Sequence, residues 1–495
     1  MLKQKFLIDF VSKFGIIFLT ATTGIVVARL AGPSVVGTIS YATAYVSMFS
    51  FVTGLFGSAH IKLVSEGQTE ADCNQTYLYL FQGSLVVYAF IVLCCFMVQK
   101  FALGYDFDGD FTETVILTIL LATVVLNFYQ FAQTIFVART EHSRSNMPLF
   151  VRAILYNLFR LIVVLFGYGA LALAGTNLLS AILMLPLVIY FLKKIDYGKF
   201  DVRLFKKYWA ISLPLLIFGI SNSIITYSDK LILEFYSDKH EIGIYTAAAS
   251  IGGMLILLGN TVGTIFFPLF SSLISRNAIS ELINKIYQFE RFIFVFILPF
   301  IITLSIFSVP IMLTLLGPKY EQSGPIFGLL VFSSFFIIWG MPYGNVLTGM
   351  GLFWLAAILN ILKAFLFIVT LMICLHPKLL NMGAKALAVT QLISNFFVFF
   401  VFYVISYYKI KVQFITFQLK YIIFGLIVYS FTVLLIVPLI DPYSIYIKTI
   451  IIMPIYGLMV FILQYVFGLL EKRDLHMLSE LFNLKKIYNY IKSEL

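Results

Sequence analysis

Charge is scarce in this chain. Asp, Glu, Lys and Arg make up 12% of its 495 residues, about half the roughly 25% of an ordinary soluble domain. Acids are scarcer than bases, 23 against 34, which leaves a formal net charge of +11. The four cysteines show no C-x-x-C spacing or paired pattern, which excludes a disulfide scaffold and a thiol-bound metal. The five histidines (His60, His142, His240, His376 and His476) have no metal-ligand spacing. There is no G-x-x-x-x-G-K-[ST] run, so nucleotide hydrolysis on such a loop is excluded. No catalytic constellation, metal or cofactor is expected.

Apolar residues fill the space that charge leaves. They form 61% of the chain, and the mean hydropathy is +0.99. A soluble enzyme, a coiled coil or a disordered regulator could not hide that much apolar surface, so the bilayer is the main solvent. With about 20 apolar residues needed per crossing, the sequence predicts an all-α polytopic protein of about fourteen helices, twelve being the lower count. They lie near 8–30, 36–59, 76–98, 114–138, 148–168, 170–192, 209–233, 243–273, 289–315, 325–346, 353–375, 384–406, 421–440 and 445–469. The N-terminus lacks a small-residue cleavage site after a short apolar core, so it reads as the first helix and not as a cleaved signal.

Orientation follows from Lys and Arg, which gather on cytoplasmic loops. With the N-terminus inside, 22 of the 34 cations fall on cytoplasmic stretches and seven on outside loops. Both termini are therefore expected in the cytoplasm. Topology accounts for the positive balance, so no nucleic-acid partner is expected. After Leu470, a stripe of Leu475, Leu478, Phe482 and Ile491 opposite Lys485 and Lys492 suits either a helix lying on the inner leaflet or a packing role.

The longest polar connector, Lys193 to Lys207, has six helices before it and six after it, with the last pair as an appendix. The turn Val36-Gly37-Thr38-Ile39-Ser40-Tyr41-Ala42 is matched by Ile242-Gly243-Ile244-Tyr245-Thr246-Ala247-Ala248, with glycines 206 apart. Asn157-x-x-Arg160 is matched by Asn360-x-x-Lys363 at an offset of 203. Two matches at nearly one offset point to a duplication. The expected organisation is an N-terminal lobe over 1–200 and a C-terminal lobe over 201–407 in parallel pseudo-symmetry. A helix pair over 408–470 and the tail over 471–495 follow. Transporters with such repeats bind substrate at the repeat interface.

Five cations remain once those of the two rims are counted: Lys13, Arg152, Arg160, Lys230 and Lys363. A charge at mid-bilayer costs about 2.5–3.5 kcal/mol on insertion scales, so it normally faces protein or water and marks a pathway. Arg160 and Lys363 are placed nearest mid-depth. Asn157 and Asn360, three residues earlier, share their helix faces. Together these are candidate binders of an anionic head group, Arg by its bidentate fork and Lys as a point charge. A packing role, with each cation capping a carbonyl or pairing with an acid on another helix, is the competing reading. It is the stronger one for Arg152 and Lys13, which are placed close enough to the inner face to snorkel. Asp229 is the clear intramembrane acid and a weak candidate for ion coupling.

Several short segments, taken together, resemble one family. Leu30-Ala31-Gly32-Pro33-Ser34-Val35-Val36-Gly37 is similar to the L-G-P-x-x-[FY]-G turn of polysaccharide flippases. Ser228-Asp229-Lys230-Leu231-Ile232-Leu233, followed by the Gly243 segment, is similar to their D-[KR]-hydrophobic and [VI]-G-x-Y-x-x-A patterns. Leu316-Gly317-Pro318-Lys319-Tyr320 and Asn381-Met382-Gly383-Ala384-Lys385-Ala386 resemble the turns before their tenth and twelfth helices. By this resemblance the chain is similar, over its whole length, to the O-antigen (Wzx-type) flippases of the multidrug/oligosaccharidyl-lipid/polysaccharide exporter superfamily. It departs at Ala31 and Ser34, which leaves the substrate open.

The resemblance implies a MATE-like fold of two lobes around a cavity that opens alternately to each side. It implies an undecaprenyl-diphosphate-linked oligosaccharide as substrate, carried to the outer leaflet of the bacterial inner membrane. Membrane lipids, a polysaccharide polymerase and a chain-length regulator would be partners. Two other readings stay open: a multidrug/cation antiporter of the same superfamily, whose cavity should hold acids, and a polysaccharide polymerase, which would need a sizeable outside domain. The longest outside loop here runs only from Gln99 to Glu113.

Overall fold

The structure is a computed structural model. It describes residues 2–104, 107, 111–413, 416–471 and 474, without the side chains of 2–14, 142, 257–268, 353 and 416–417. The described residues are helical, with no strand among them. In chain order the helices are α1 (Leu2–Ala31), α2 (Pro33–Ser47), α3 (Phe51–Ser65), α4 (Glu70–Ala102), α5 (Thr112–Ala138), α6 (His142–Leu165), α7 (Ala170–Leu192) and α8 (Val202–Glu234). They continue as α9 (Lys239–Ser275), α10 (Ile279–Ile306), α11 (Ser308–Leu316), α12 (Ser323–Gly349), α13 (Phe353–Leu375), α14 (Lys385–Ile410), α15 (Gln418–Ile440) and α16 (Ile445–Val466).

Among the described residues, eleven helices are long and apolar enough to cross a membrane, or twelve if α2 and α3 form one span bent by 47°. This count does not confirm fourteen. The shorter apolar stretch Gly15–Ala31 stands outside that count, and α9 contains residues 257–268, whose side chains are not described. The tail from 475 on and Lys13 lie outside the description as well.

The chain divides into two compact units, residues up to Gly243 and residues from Ile244 to Ser493. In the first, α1 packs along α6, α5 along α7, and α2 against α5 and α8. Its largest apolar core is aromatic: Phe81, Phe131, Tyr77 and Tyr208 are nearly fully buried where α3, α4, α5 and α8 meet. His60 is stacked on Tyr77 at 4.5 Å between ring centroids. Its Nδ1 lies 2.8 Å from the Tyr208 hydroxyl, and that hydroxyl donates to the Cys73 carbonyl at 3.2 Å. A phenol has one proton, so with that proton on Cys73 the His60 Nδ1–H must be the donor to Tyr208. Tyr208→Phe would orphan the buried His60 N–H and remove a second bond from the Cys73 carbonyl, which already serves its own helix. We expect a loss of about 1–3 kcal/mol, read as a lower melting temperature in detergent; an unchanged melt would mean the bond contributes nothing.

The connector between α7 and α8 is tied down onto the start of α4. Asn74 donates to the Asp196 carbonyl, Gly198 N–H to the Ala71 carbonyl, and Lys199 N–H to Asp72 Oδ1. Gly198 is required there, because a Cβ would stand 2.2 Å from Asp72 Oδ1.

The two matched glycine turns meet inside the first unit. A Cβ on Gly37 would lie 1.7 Å from the Lys239 carbonyl oxygen, and one on Gly243 would lie 1.9 Å from that of Pro33. Lys239 and Pro33 are themselves 206 apart, as the glycines are. The first turns of α2 and α9 therefore cross by one contact made twice, each glycine against the carbonyl that begins the other helix. Before α2, Gly32 holds φ 86°, and Pro33 then starts the helix with φ already set.

In the second unit the broadest packing is α12 along α14, with α10 and α11 beside α12 and α15 beside α10. Phe294, Phe335, Trp339, Phe399 and Tyr343 form a continuous run of ring contacts there.

Candidate functional site

Helix α6 carries most of the anticipated site. It begins at His142, with Pro148 inside it, where the apolar ruler begins the segment at 148. Its midpoint therefore falls beside Arg152, while Arg160 stands five residues from the Leu165 end. Arg152 does not snorkel to a rim. Its guanidinium donates to Asn177 Oδ1 on α7, and its Nε is buried without a partner. Tyr156 stands between the two arginines, with the Arg152 Cζ 5.5 Å and the Arg160 Cζ 5.1 Å from its ring centroid. Among the described residues neither arginine has an ion pair with a carboxylate. Two guanidinium groups thus contact one aromatic ring, and each cation–π contact contributes about 0.5–2 kcal/mol. Their mutual repulsion is left uncompensated, an arrangement that favours an anion.

Asn157 does not stand beside Arg160 as a free polar group. It is 1% exposed, and its amide donates to the Ala153 carbonyl at 2.8 Å and to Thr20 Oγ1 of α1 at 3.3 Å. Its Oδ1 is buried without a partner. Asn157 therefore clamps α1 to α6, with one acceptor unused.

In the second unit, α13 places Lys363 near its middle, partly buried, with no carboxylate partner among the described residues. The Asn360 Nδ2, one turn before it, is buried and unpartnered. Buried polar atoms are normally paired, so an unsatisfied donor beside an unpaired cation again describes a place for an anion or a hydroxyl-bearing ligand.

The anticipated intramembrane acid is self-contained. Asp229 is 2% exposed; its Oδ1 accepts from Lys230 N at 2.7 Å and lies 3.3 Å from Lys230 Nζ. A more deeply embedded carboxylate escaped sequence reasoning. Glu290, 0% exposed, accepts from Trp339 Nε1 at 2.7 Å, from the Tyr343 hydroxyl at 2.5 Å and from Gln418 Nε2 at 2.5 Å. It joins α10, α12 and α15. All its partners are donors, so it forms a satisfied structural hub and is no cation site. No cluster of three or more metal-ligating side chains occurs among the described residues.

Known proteins agree with this architecture. Over residues 26–325 the chain matches the family model described as polysaccharide biosynthesis protein. It is 23% identical over 399 residues to a capsular polysaccharide biosynthesis protein, CapF, of Staphylococcus aureus, covering 78% of this chain and 92% of that one. Among solved structures it resembles the lipid II flippase MurJ in an inward closed conformation, with a TM-score of 0.74, 18% identity, and 95% and 99% of the two chains covered. It also resembles an inward-facing multidrug resistance MATE family transporter of the MOP superfamily, with a TM-score of 0.65, 14% identity, and 79% and 94% covered. At those identities the two structures establish the fold, that of multi-pass membrane transporters. The family match spans well over half of the chain, and the protein belongs to the polysaccharide biosynthesis protein family.

Proposed function

We propose that this protein is a flippase that carries an undecaprenyl-diphosphate-linked oligosaccharide, an O-antigen or related surface-polysaccharide unit, across the bacterial cytoplasmic membrane by alternating access. The observation that carries the reading is the pair of arginines, Arg152 and Arg160, around Tyr156, with no acid against them. A diphosphate must cross an apolar layer, and such a group is held best by forked guanidinium donors. Lys363, with Asn360, supplies a second cationic position on α13. The lipid tail stays in the bilayer while the polar head passes by the cations. Family membership and the MurJ-like fold support the same class. The excess of Lys and Arg on one set of loops supports cytoplasmic termini.

An antiporter that binds organic cations would need unsatisfied buried acids. Both Asp229 and Glu290 already have partners, which weighs against it.

Deleting the gene should accumulate complete repeat units on the lipid carrier and remove surface glycan, as read by mass analysis of both fractions. In the complemented strain, Arg160→Ala/Lys363→Ala should lower export by about tenfold per lost charge-assisted contact. Full export by the double variant at normal abundance would overturn the assigned cations. Single unpolymerised repeats on the surface of the deletion strain would indicate a polymerase instead.

A further inference from the structure

Four connections of the first unit, all on the side opposite the Lys-rich loops, converge on one pocket of about 910 Å³. They are the turns between α1 and α2, α4 and α5, α6 and α7, and α8 and α9. The volume lies within the range of about 300–1,000 Å³ typical of ligand sites. We infer that this pocket is a saccharide-binding vestibule that receives the glycan, as distinct from the diphosphate, of the translocated molecule. The inference rests on the flippase reading given above.

The chemistry of the lining is that of a sugar site. Glu234 and Lys239 form an ion pair of 3.4 Å with both side chains nearly buried, which fixes their remaining hydrogen-bonding positions. Asp238 uses Oδ1 to accept from Glu241 N at 3.0 Å; among the described residues its other oxygen has no partner. Ser34 and Ser237 bring hydroxyls that both donate and accept. A pyranose ring offers hydroxyls of the same dual character and needs such a mixed lining. It also offers C–H faces that pack on aromatic rings, and two are present. Tyr168 is 60% exposed, directly after Gly167 at φ 73°. Phe111 is 66% exposed and held at φ 62°. A bulky aromatic residue in the left-handed region is uncommon, and such strain gathers at ligand sites.

Electrostatics separates this pocket from the arginines. Among the described residues that line it, two carboxylates, Glu234 and Asp238, stand against the one ammonium of Lys239. A diphosphate would be repelled here and held by Arg152 and Arg160. A neutral or amino sugar suits the pocket. The two ends of one amphipathic substrate thus have separate places.

The test uses the full-length protein in lipid nanodiscs and, as probe, the free oligosaccharide repeat released from the producing strain's surface polysaccharide, with neither lipid nor phosphate. Saturation-transfer NMR and calorimetry should detect binding. Tyr168→Ala and Asp238→Asn should each weaken it about tenfold, and Tyr168→Phe should retain it. Arg160→Ala should leave it unchanged. The variants are chosen to fold: Tyr168 is mostly exposed, and Asn caps a helix about as well as Asp. No binding by the wild type, or equal binding by the pocket variants, overturns the vestibule. A Tyr168→Ala protein that binds normally but reconstitutes poorly also overturns it, since the ring would then be part of a lipid-interface belt. The flippase reading fails separately, if deletion leaves lipid-linked repeat units at their normal level.

Discussion

Glu290→Ala is expected to destabilise the second unit by about 3–5 kcal/mol, because three hydrogen bonds to one buried carboxyl group are lost together. Glu290 is fully buried and holds Trp339, Tyr343 and Gln418. Truncation takes the shared acceptor from three buried donors on two helices, α12 and α15, at about 1–3 kcal/mol each and less than additively. The neighbouring Arg291 cannot fill the gap. It is a donor only, and it is engaged with Asp474 at 2.6 and 2.7 Å. Size-exclusion profiles and thermal unfolding in detergent read the effect.

Glu290→Gln separates the loss of charge from the loss of shape. Its carbonyl still accepts from Trp339 and Tyr343, but its NH₂ meets the NH₂ of Gln418, donor against donor. It should fall between wild type and Ala. Glu290→Gln/Gln418→Glu restores a donor opposite an acceptor and should recover part of the stability. A Glu290→Ala protein that melts like wild type would show that water already satisfies these donors.

Why sequence reasoning missed Glu290 is instructive. A ruler of 20 apolar residues begins the ninth segment at 289, which leaves Glu290 and Arg291 at its very edge, where charge calls for no partner. The helix in fact begins at Ile279, and its first turns are amphipathic. They are hydrophobic on one face only, and an average over residues erases that face. Arg152 is misplaced for a related reason: the apolar ruler starts that segment at 148, while α6 extends six residues further back over a polar first turn and a half. The break between Ser47 and Phe51 has no proline to announce it. By contrast, the long apolar cores, the all-helical class and the cations on α6 and α13 were legible, because insertion cost acts locally and leaves its mark on composition. The partners on other helices were not. Tyr156, one turn from each arginine on α6, lay within reach of that helix's periodicity, whereas Asn177 on α7 reaches Arg152, and Thr20 on α1 reaches Asn157, through packing that one helix's periodicity does not contain.

The glycine pairing was legible as a repeat but not as a contact, and it yields the second large effect. Gly37→Ala and Gly243→Ala place each other in competition with helix propensity. Alanine favours a helix interior over glycine by about 1 kcal/mol, so on propensity alone both variants should be more stable. Against that, the new methyl would stand 1.7 Å from the Lys239 carbonyl oxygen or 1.9 Å from that of Pro33. Both obstacles are backbone atoms of helix first turns, which no rotamer change can move. Overpacking a tight contact costs about 1–3 kcal/mol, and a contact this close lies at or beyond the upper end of that range. The clash therefore wins. Either single variant should melt below wild type and lose most glycan export, while Gly24→Ala, where a Cβ meets nothing within 4 Å, should be neutral or slightly stabilising. Because the two contacts are reciprocal, the double variant should lose less than the sum of the singles: once the first methyl has parted α2 from α9, the second finds room. If Gly37→Ala gains the stability that propensity alone offers, the two turns do not cross this closely, and the duplication of the motif has some other cause.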